Sequence, residues 1–158
     1  PGPNRLSRTA AKEVPHRKTE RFFAAKADLR VACENLVKEV ELAKVLHDST
    51  RHDLLGAARR VQAEVHDLGP SDSGARNMLV DLEKQVDHLA LAAKWVSAAQ
   101  RVVDRLGHSH REVRDQVLEA QDAVMWFVRA EDWGGDLTQS LSRLKTVVQD
   151  AEAQASRT

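Results

Sequence analysis

The amino-acid sequence predicts an all-helical fold, an elongated antiparallel bundle of three long helices with coiled-coil-like packing. The main observation is an apolar heptad repeat between residues 22 and 68, whose 3-4 spacing places its members on one stripe of a helix. A second observation is the composition, in which few aromatic and many helix-favouring residues occur. The repeat has two tracks: Phe22, Leu29, Leu36, Ala43, Thr50 and Ala57, and Cys33, Val40, His47, Leu54, Val61 and Leu68.

The first helix is predicted to begin near Pro15, because proline is favoured in a first helical turn. It is predicted to end at Gly69-Pro70, since glycine accepts the conformation after a last turn and proline cannot continue a helix. Asp48-Ser49-Thr50 is a weak point, because Ser and Asp compete for backbone hydrogen bonds. The heptad phase passes this point without a reset, which favours one continuous, bent helix. A break near Asp48 is the alternative and would give four or five helices.

The second helix is predicted from about Ser73 to Leu106. The sequence Ser109-His110-Arg111-Glu112 matches a capping box and predicts the start of a third helix. The apolar phase of that third segment slips at Trp133-Gly134-Gly135. The third helix is therefore predicted to be kinked or divided into two.

The predicted helix lengths leave three apolar residues uncovered. At about 1.5 Å per residue, the first helix is about 80 Å long and the second about 50 Å. The second would then stop opposite Cys33, so Phe22, Phe23 and Leu29 would have no partner within the chain. We predict these three as partner-binding residues, covered by a second copy, by the C-terminal segment or by a different protein. In the broken-helix alternative they lie in the core instead.

Half of the aromatic residues lie within eight positions, as Trp126, Phe127 and Trp133. Phe127 is predicted to belong to the core, and the two tryptophans to pack around the kink. Tryptophan is also enriched at interaction hot spots. Trp126 and Trp133 are therefore further candidate partner-binding residues.

The domain prediction is a flexible basic arm over residues 1–14, followed by one helical domain over residues 15–158. A chain of 158 residues can bury one core but hardly two. The basic arm suggests contact with an acidic partner or a membrane surface as an alternative to a solvated tail. Because the chain begins Pro1-Gly2-Pro3 without methionine, we expect it to be a processed piece of a larger protein.

The charge balance limits the class of partner, and the cysteine count indicates the cellular location. Twenty-four basic and 24 acidic residues give a formal net charge of zero, which disfavours nucleic acid as a partner. The single cysteine, Cys33, cannot form an internal disulfide, which fits a reducing, cytoplasmic location. No apolar run is long enough for an integral membrane segment, and no signal peptide is recognised.

The histidine and nucleophile spacings predict no catalytic residue, no metal and no cofactor. The Glu-x-x-His and His-Glu-x-x-His patterns are absent. Ser49, His52 and Asp53 are neighbours on one stretch, whereas a triad gathers residues from separate elements. His47 lies on the heptad stripe, either as an exposed imidazole beside Asp48 or as a pH-dependent defect in the helix packing.

These observations predict a non-enzymatic protein-interaction or scaffold module that self-associates, as a homodimer, through its first helix. A membrane-surface module that uses the basic arm is one alternative. The helix lengths and heptads also resemble spectrin-type repeats, which implies a cytoskeletal adaptor as another. Here Trp95 lies in the second predicted helix, whereas a spectrin-type repeat usually carries its tryptophan in the first.

Overall fold

The computed structural model describes the backbone of residues 2–157 and the side chains of residues 17–157. Within that part of the chain there is no strand, so the prediction of an all-helical protein is confirmed. Residues 2–157 form five α-helices, and a short 3₁₀ turn at His108–His110 precedes the fourth. These are α1 (Gly2–Leu42), α2 (Asp48–Asp67), α3 (Ala75–Leu106), α4 (Arg111–Ala130) and α5 (Gly135–Arg157).

The continuous first helix predicted from Pro15 to Leu68 is wrong, because the chain turns between α1 and α2. The α1–α2 loop, residues 43–47, contains neither glycine nor proline, so its own sequence carries no turn signal. The heptad phase survives because the stripes of both helices face a common core: Val40 before the loop and Leu54 after it are both buried. A heptad repeat reports the buried face of a helix, and it does not report whether the helix is interrupted.

Helix α2 returns antiparallel to α1. The ammonium group of Lys26, just past the middle of α1, donates to the carbonyl oxygens of His66 and Leu68, each at 2.8 Å. Near the loop, Arg59 donates to the carboxylate of Glu41 at 3.0 Å. The middle of α1 thus meets the end of α2, and late α1 meets an earlier part of α2.

The overhang predicted for Phe22, Phe23 and Leu29 does not exist, because the end of α2 and the start of α3 lie against this part of α1. Phe22 and Leu29 are buried in the core. Phe23 remains half exposed, and its ring lies edge-on to that of Phe22 with 5.9 Å between the centroids. The burial of Phe22 and Leu29 agrees with the broken-helix alternative, whereas the exposure of Phe23 does not.

Helix α1 begins at Gly2 rather than near Pro15. Proline is favoured in a first turn, but it can also lie inside a helix at a cost of about 3 kcal/mol. Good helix formers such as Ala10, Ala11 and Lys12 precede it here. The side chains of residues 1–16 lie outside the described ones, so the flexible basic arm over residues 1–14 stays a prediction.

Helix α3 ends at Leu106, as predicted, and Gly107 follows with φ 60° and ψ −158°. This combination is nearly restricted to glycine. We expect Gly107→Ala to lower the free energy of unfolding by about 1–3 kcal/mol, measured by urea denaturation. The loss comes from the backbone alone, because an added Cβ would meet no atom within 4 Å.

The control for this prediction is Gly74→Ala. Gly74 has φ 67° and ψ 23°, in the left-handed helical region, and an added Cβ there also meets nothing within 4 Å. Other residues adopt this region at a cost of about 1 kcal/mol. A loss for Gly107→Ala that is no larger than the loss for Gly74→Ala would contradict the backbone explanation.

The third predicted helix is two helices, α4 and α5, which separate at residues 131–134. Glu131 ends α4 in the left-handed conformation with φ 54°, and its N–H group donates to the carbonyl oxygen of Val128 at 3.2 Å. The Glu131 carboxylate also forms an ion pair with Arg60 of α2. A positive φ at a non-glycine residue stops the helix here.

The capping box predicted at Ser109 is wrong. The Ser109 hydroxyl donates to the carbonyl oxygen of Leu106 at 3.5 Å and contacts His110 Nδ1 at 3.1 Å. Residues 108–110 form a 3₁₀ turn, and His110 takes the position before α4. The short turn moves the serine out of the capping position.

Helix α3 is central, because it packs against α1, α2, α4 and α5. Both heptad tracks join the apolar stripes of α3, α4 and α5 in one hydrophobic core. Among the heptad residues His47 is exposed and Ala43 is partly buried. The most deeply buried large side chains are Leu54, Leu89, Leu137, Leu144, Gln100, Val40, Val65, Val96, Val102, Val117, Val124 and Val128.

Candidate protein-binding surfaces

The predicted aromatic candidates are single side chains on different elements. Trp126 of α4 is 58% exposed, and its ring lies edge-on to Phe127 with 5.1 Å between the centroids. Trp133 and Phe127 are partly buried and pack against the core. Of the five predicted partner-binding residues, the structure leaves Phe23 and Trp126 the most exposed.

A groove between α2 and α3 combines apolar and acidic side chains. Its volume is about 410 Å³, and Leu68 and Leu82 form buried apolar parts of its lining. Met78 adds a side chain that is 48% exposed. Four carboxylates complete this acidic groove together with Gln85: Glu64, Asp67, Asp72 and Asp81.

Local hydrogen bonds fix the end of the acidic groove. Helix α2 stops at Leu68, whose N–H group donates to the carbonyl oxygen of Glu64 at 3.1 Å. In the turn that follows, the Asp72 carboxylate accepts a hydrogen bond from the Gly69 N–H group at 2.7 Å. Lys26 holds the end of α2 from the other side through the carbonyl oxygen of Leu68. These hydrogen bonds hold the end of α2 and the turn that leads to α3.

The acidic groove carries carboxylates with little internal neutralisation. Asp67 lies 3.2 Å from Nδ1 of His66, which carries charge only when the imidazole is protonated. Within the part of the chain whose side chains are described, neither Glu64 nor Asp81 has an ion-pair partner. An exposed apolar side chain beside unpaired carboxylates favours a ligand that is both apolar and basic.

The acidic groove is not among the sites predicted from the sequence. Glu64 and Asp67 lie three residues apart near the end of α2, and Met78 and Asp81 have the same spacing near the start of α3. Such pairs share a face of a helix. The turn predicted at Gly69-Pro70 places the end of α2 beside the start of α3. The spacing of these two pairs could therefore have predicted the acidic groove from the sequence.

A second groove, of about 530 Å³, lies between the end of α1 and α3. Ala43, Ala90 and Ala93 line it, beside Leu91, which is 45% exposed. Its charged lining residues are Glu39, Lys94 and Arg101, which carry both signs. Because both signs are present, the charges of this second groove favour neither a basic nor an acidic ligand, in contrast to those of the acidic groove.

The residues weighed for catalysis do not come together. Ser49 and His52 are exposed, and the Asp53 carboxylate accepts from Arg129 at 3.3 Å. Burial, with a smaller contribution from the Glu34 carboxylate, raises the pKa of the Cys33 thiol, which disfavours the nucleophilic thiolate. Among the described residues, no group of three or more His, Cys, Asp or Glu side chains is placed to hold a metal ion.

Comparison with protein-family models, curated proteins and solved structures finds no match to this chain. The resemblance to spectrin-type repeats therefore rests on the helix pattern alone. Of the helices in the described part, none combines the length and the apolar character needed to cross a membrane.

Proposed function

We propose that this chain is a non-enzymatic protein-interaction module, a helical bundle that binds a basic, amphipathic segment of a partner in its acidic groove. The observation that carries the proposal is the position of Met78, Leu68 and Leu82 among four carboxylates at one groove. Amphipathic helices commonly bind by laying an apolar face into such a groove.

The two kinds of lining residue have different roles in this proposal. Exposed Met78 provides apolar area, and methionine adapts to ligands of different shape. The carboxylates lie near the solvent, where they orient a basic segment and accelerate its association. The other predicted functions would use different surfaces: the membrane alternative depends on residues 1–14, and the adaptor alternative on the helix pattern. No contact of the described residues favours either one over the acidic groove.

Two synthetic peptides with the same leucine spacing test the proposal. In one peptide the polar positions are lysine, and in the other they are glutamate. We expect the lysine peptide to bind, with an affinity that falls as salt rises, and the glutamate peptide not to bind. Fluorescence anisotropy of labelled peptides measures both affinities.

The variant Asp67→Asn with Asp81→Asn tests the site. An exposed ion pair contributes about 0.5–1 kcal/mol, so loss of two should weaken binding of the lysine peptide about 5- to 30-fold. The matched control, Asp122→Asn with Asp150→Asn, removes two exposed carboxylates from α4 and α5 and should leave binding unchanged. Equal weakening by both double variants would show non-specific attraction, and absence of lysine-peptide binding would refute the proposal.

A further inference from the structure

The α1–α2 loop interrupts an apolar stripe that would be continuous in a single helix. Leu36 and Val40 precede the loop and Leu54 and Ala57 follow it, and all four keep the heptad spacing and are buried. Alanine, lysine and leucine in residues 43–47 are good helix formers. The sequence of this loop is thus compatible with both a turn and a helix.

The loop contains an N–H group and a carbonyl oxygen that would form a hydrogen bond with each other in a continuous helix. In a continuous helix the His47 N–H group would donate to the carbonyl oxygen of Ala43, four residues earlier. In this structure His47 N–H instead donates to the side-chain oxygen of Gln100 at 2.8 Å. The Ala43 oxygen accepts from the Arg51 guanidinium at 2.8 Å. The Ala43 oxygen also accepts from the Leu46 N–H group at 3.1 Å. Side chains of α2 and α3, together with this backbone hydrogen bond, therefore replace one helical hydrogen bond and hold the turn.

We propose that two copies of this chain form a domain-swapped dimer by opening this turn. The loop becomes helical and joins α1 to α2, and α1 of each copy packs on α2 and α3 of the other. The joined helix, from Gly2 to Asp67, would be about 100 Å long.

A second copy is the occupant that fits the vacated surface without repacking. Its α1 carries the same apolar residues in the same order as the α1 that left, including Phe22, Leu29 and Leu36. Exchange of identical elements recreates the buried contacts of the monomer between chains, so the two states differ mainly in the loop. The exchange of α1 does not involve the acidic groove. Failure of peptide binding and failure of domain swapping are therefore separate results.

Two loop variants that differ only in helix propensity provide the first test. Lys44→Ala with Val45→Ala favours the joined helix, and Lys44→Gly with Val45→Gly disfavours it. We expect the dimerisation constant of the alanine variant to exceed that of the glycine variant on the order of 100-fold. Each protein is refolded from denaturant at high and low concentration, and light scattering on a sizing column measures the masses. Equal dimerisation of the two variants would overturn the proposal, as would a monomer under every condition.

Cross-linking distinguishes a swapped dimer from a surface contact between intact monomers. Glu41 and Arg59 form an ion pair between α1 and α2, with 3.0 Å between nitrogen and oxygen. Cysteines at both positions, in a Cys33→Ala background, are joined by a short bismaleimide reagent. In the isolated dimer we expect the two chains to be covalently linked, because the cysteine at position 41 of one copy then lies beside the cysteine at position 59 of the other. Only intrachain links would overturn the proposal.

A dilution experiment tests the swapped dimer on the unsubstituted chain, without loop variants or added cysteines. The isolated dimer should keep its mass for a long time after dilution, because its return to monomer requires α1 to leave the core. A dimer held by surface contacts dissociates at once. Rapid dissociation would therefore also overturn the proposal.

Discussion

Replacing Leu89 by alanine is expected to lower the free energy of unfolding by about 3 kcal/mol. Leu89 lies in α3, the helix that packs against the other four, and it is 1% exposed. Truncation removes apolar contacts and leaves a cavity that neighbouring helices can fill only in part. Urea denaturation followed by circular dichroism measures the change.

The control is Leu91→Ala, two positions further along α3. Leu91 is 45% exposed, so the same truncation should change the free energy of unfolding by less than about 0.5 kcal/mol. A loss below about 1 kcal/mol for Leu89→Ala would contradict the packing described for α3. So would a Leu91→Ala loss as large as that of Leu89→Ala.

Replacing Gln100 by leucine is expected to lower the free energy of unfolding by about 2 kcal/mol. Gln100 is buried on α3, accepts from the His47 N–H group at 2.8 Å and donates to the Thr50 hydroxyl at 3.2 Å. Leucine has a similar size but leaves both groups without this partner. An unpaired buried polar group is more costly than the net gain from its hydrogen bond.

A double-mutant cycle with Thr50→Val isolates the side-chain hydrogen bond. The valine substitution should be less destabilising in the Gln100→Leu background, with a coupling energy of about 1 kcal/mol. Gln116→Leu, an exposed position on α4, should be nearly neutral. Additive effects of Gln100→Leu and Thr50→Val would contradict the hydrogen bond between their side chains.

The candidate site was less predictable than the helices. Phe22 and Leu29 were predicted to bind a partner because of an assumed helix length, and the turn after Leu42 buries them. The prediction that these two side chains need an apolar contact is right. The prediction of which part of the molecule covers them is wrong. The acidic groove lies across two helices, so Asp67 and Asp81 become neighbours only when the turn at Gly69-Pro70 and the packing of α2 on α3 are both known.

The helical class, the buried stripe and the helix ends at Gly69-Pro70 and Gly107 follow from local sequence. Each depends on local chemistry: side-chain spacing selects the face of a helix, and glycine or proline stops it. The turn at residues 43–47 depends instead on how the helices pack. There the loop residues suit a helix equally well, and Gln100 of α3 and Arg51 of α2 supply the hydrogen bonds that hold the turn. One hydrogen bond from distant α3 and one from the start of α2 therefore favour the turn over a helix that the loop residues would also allow.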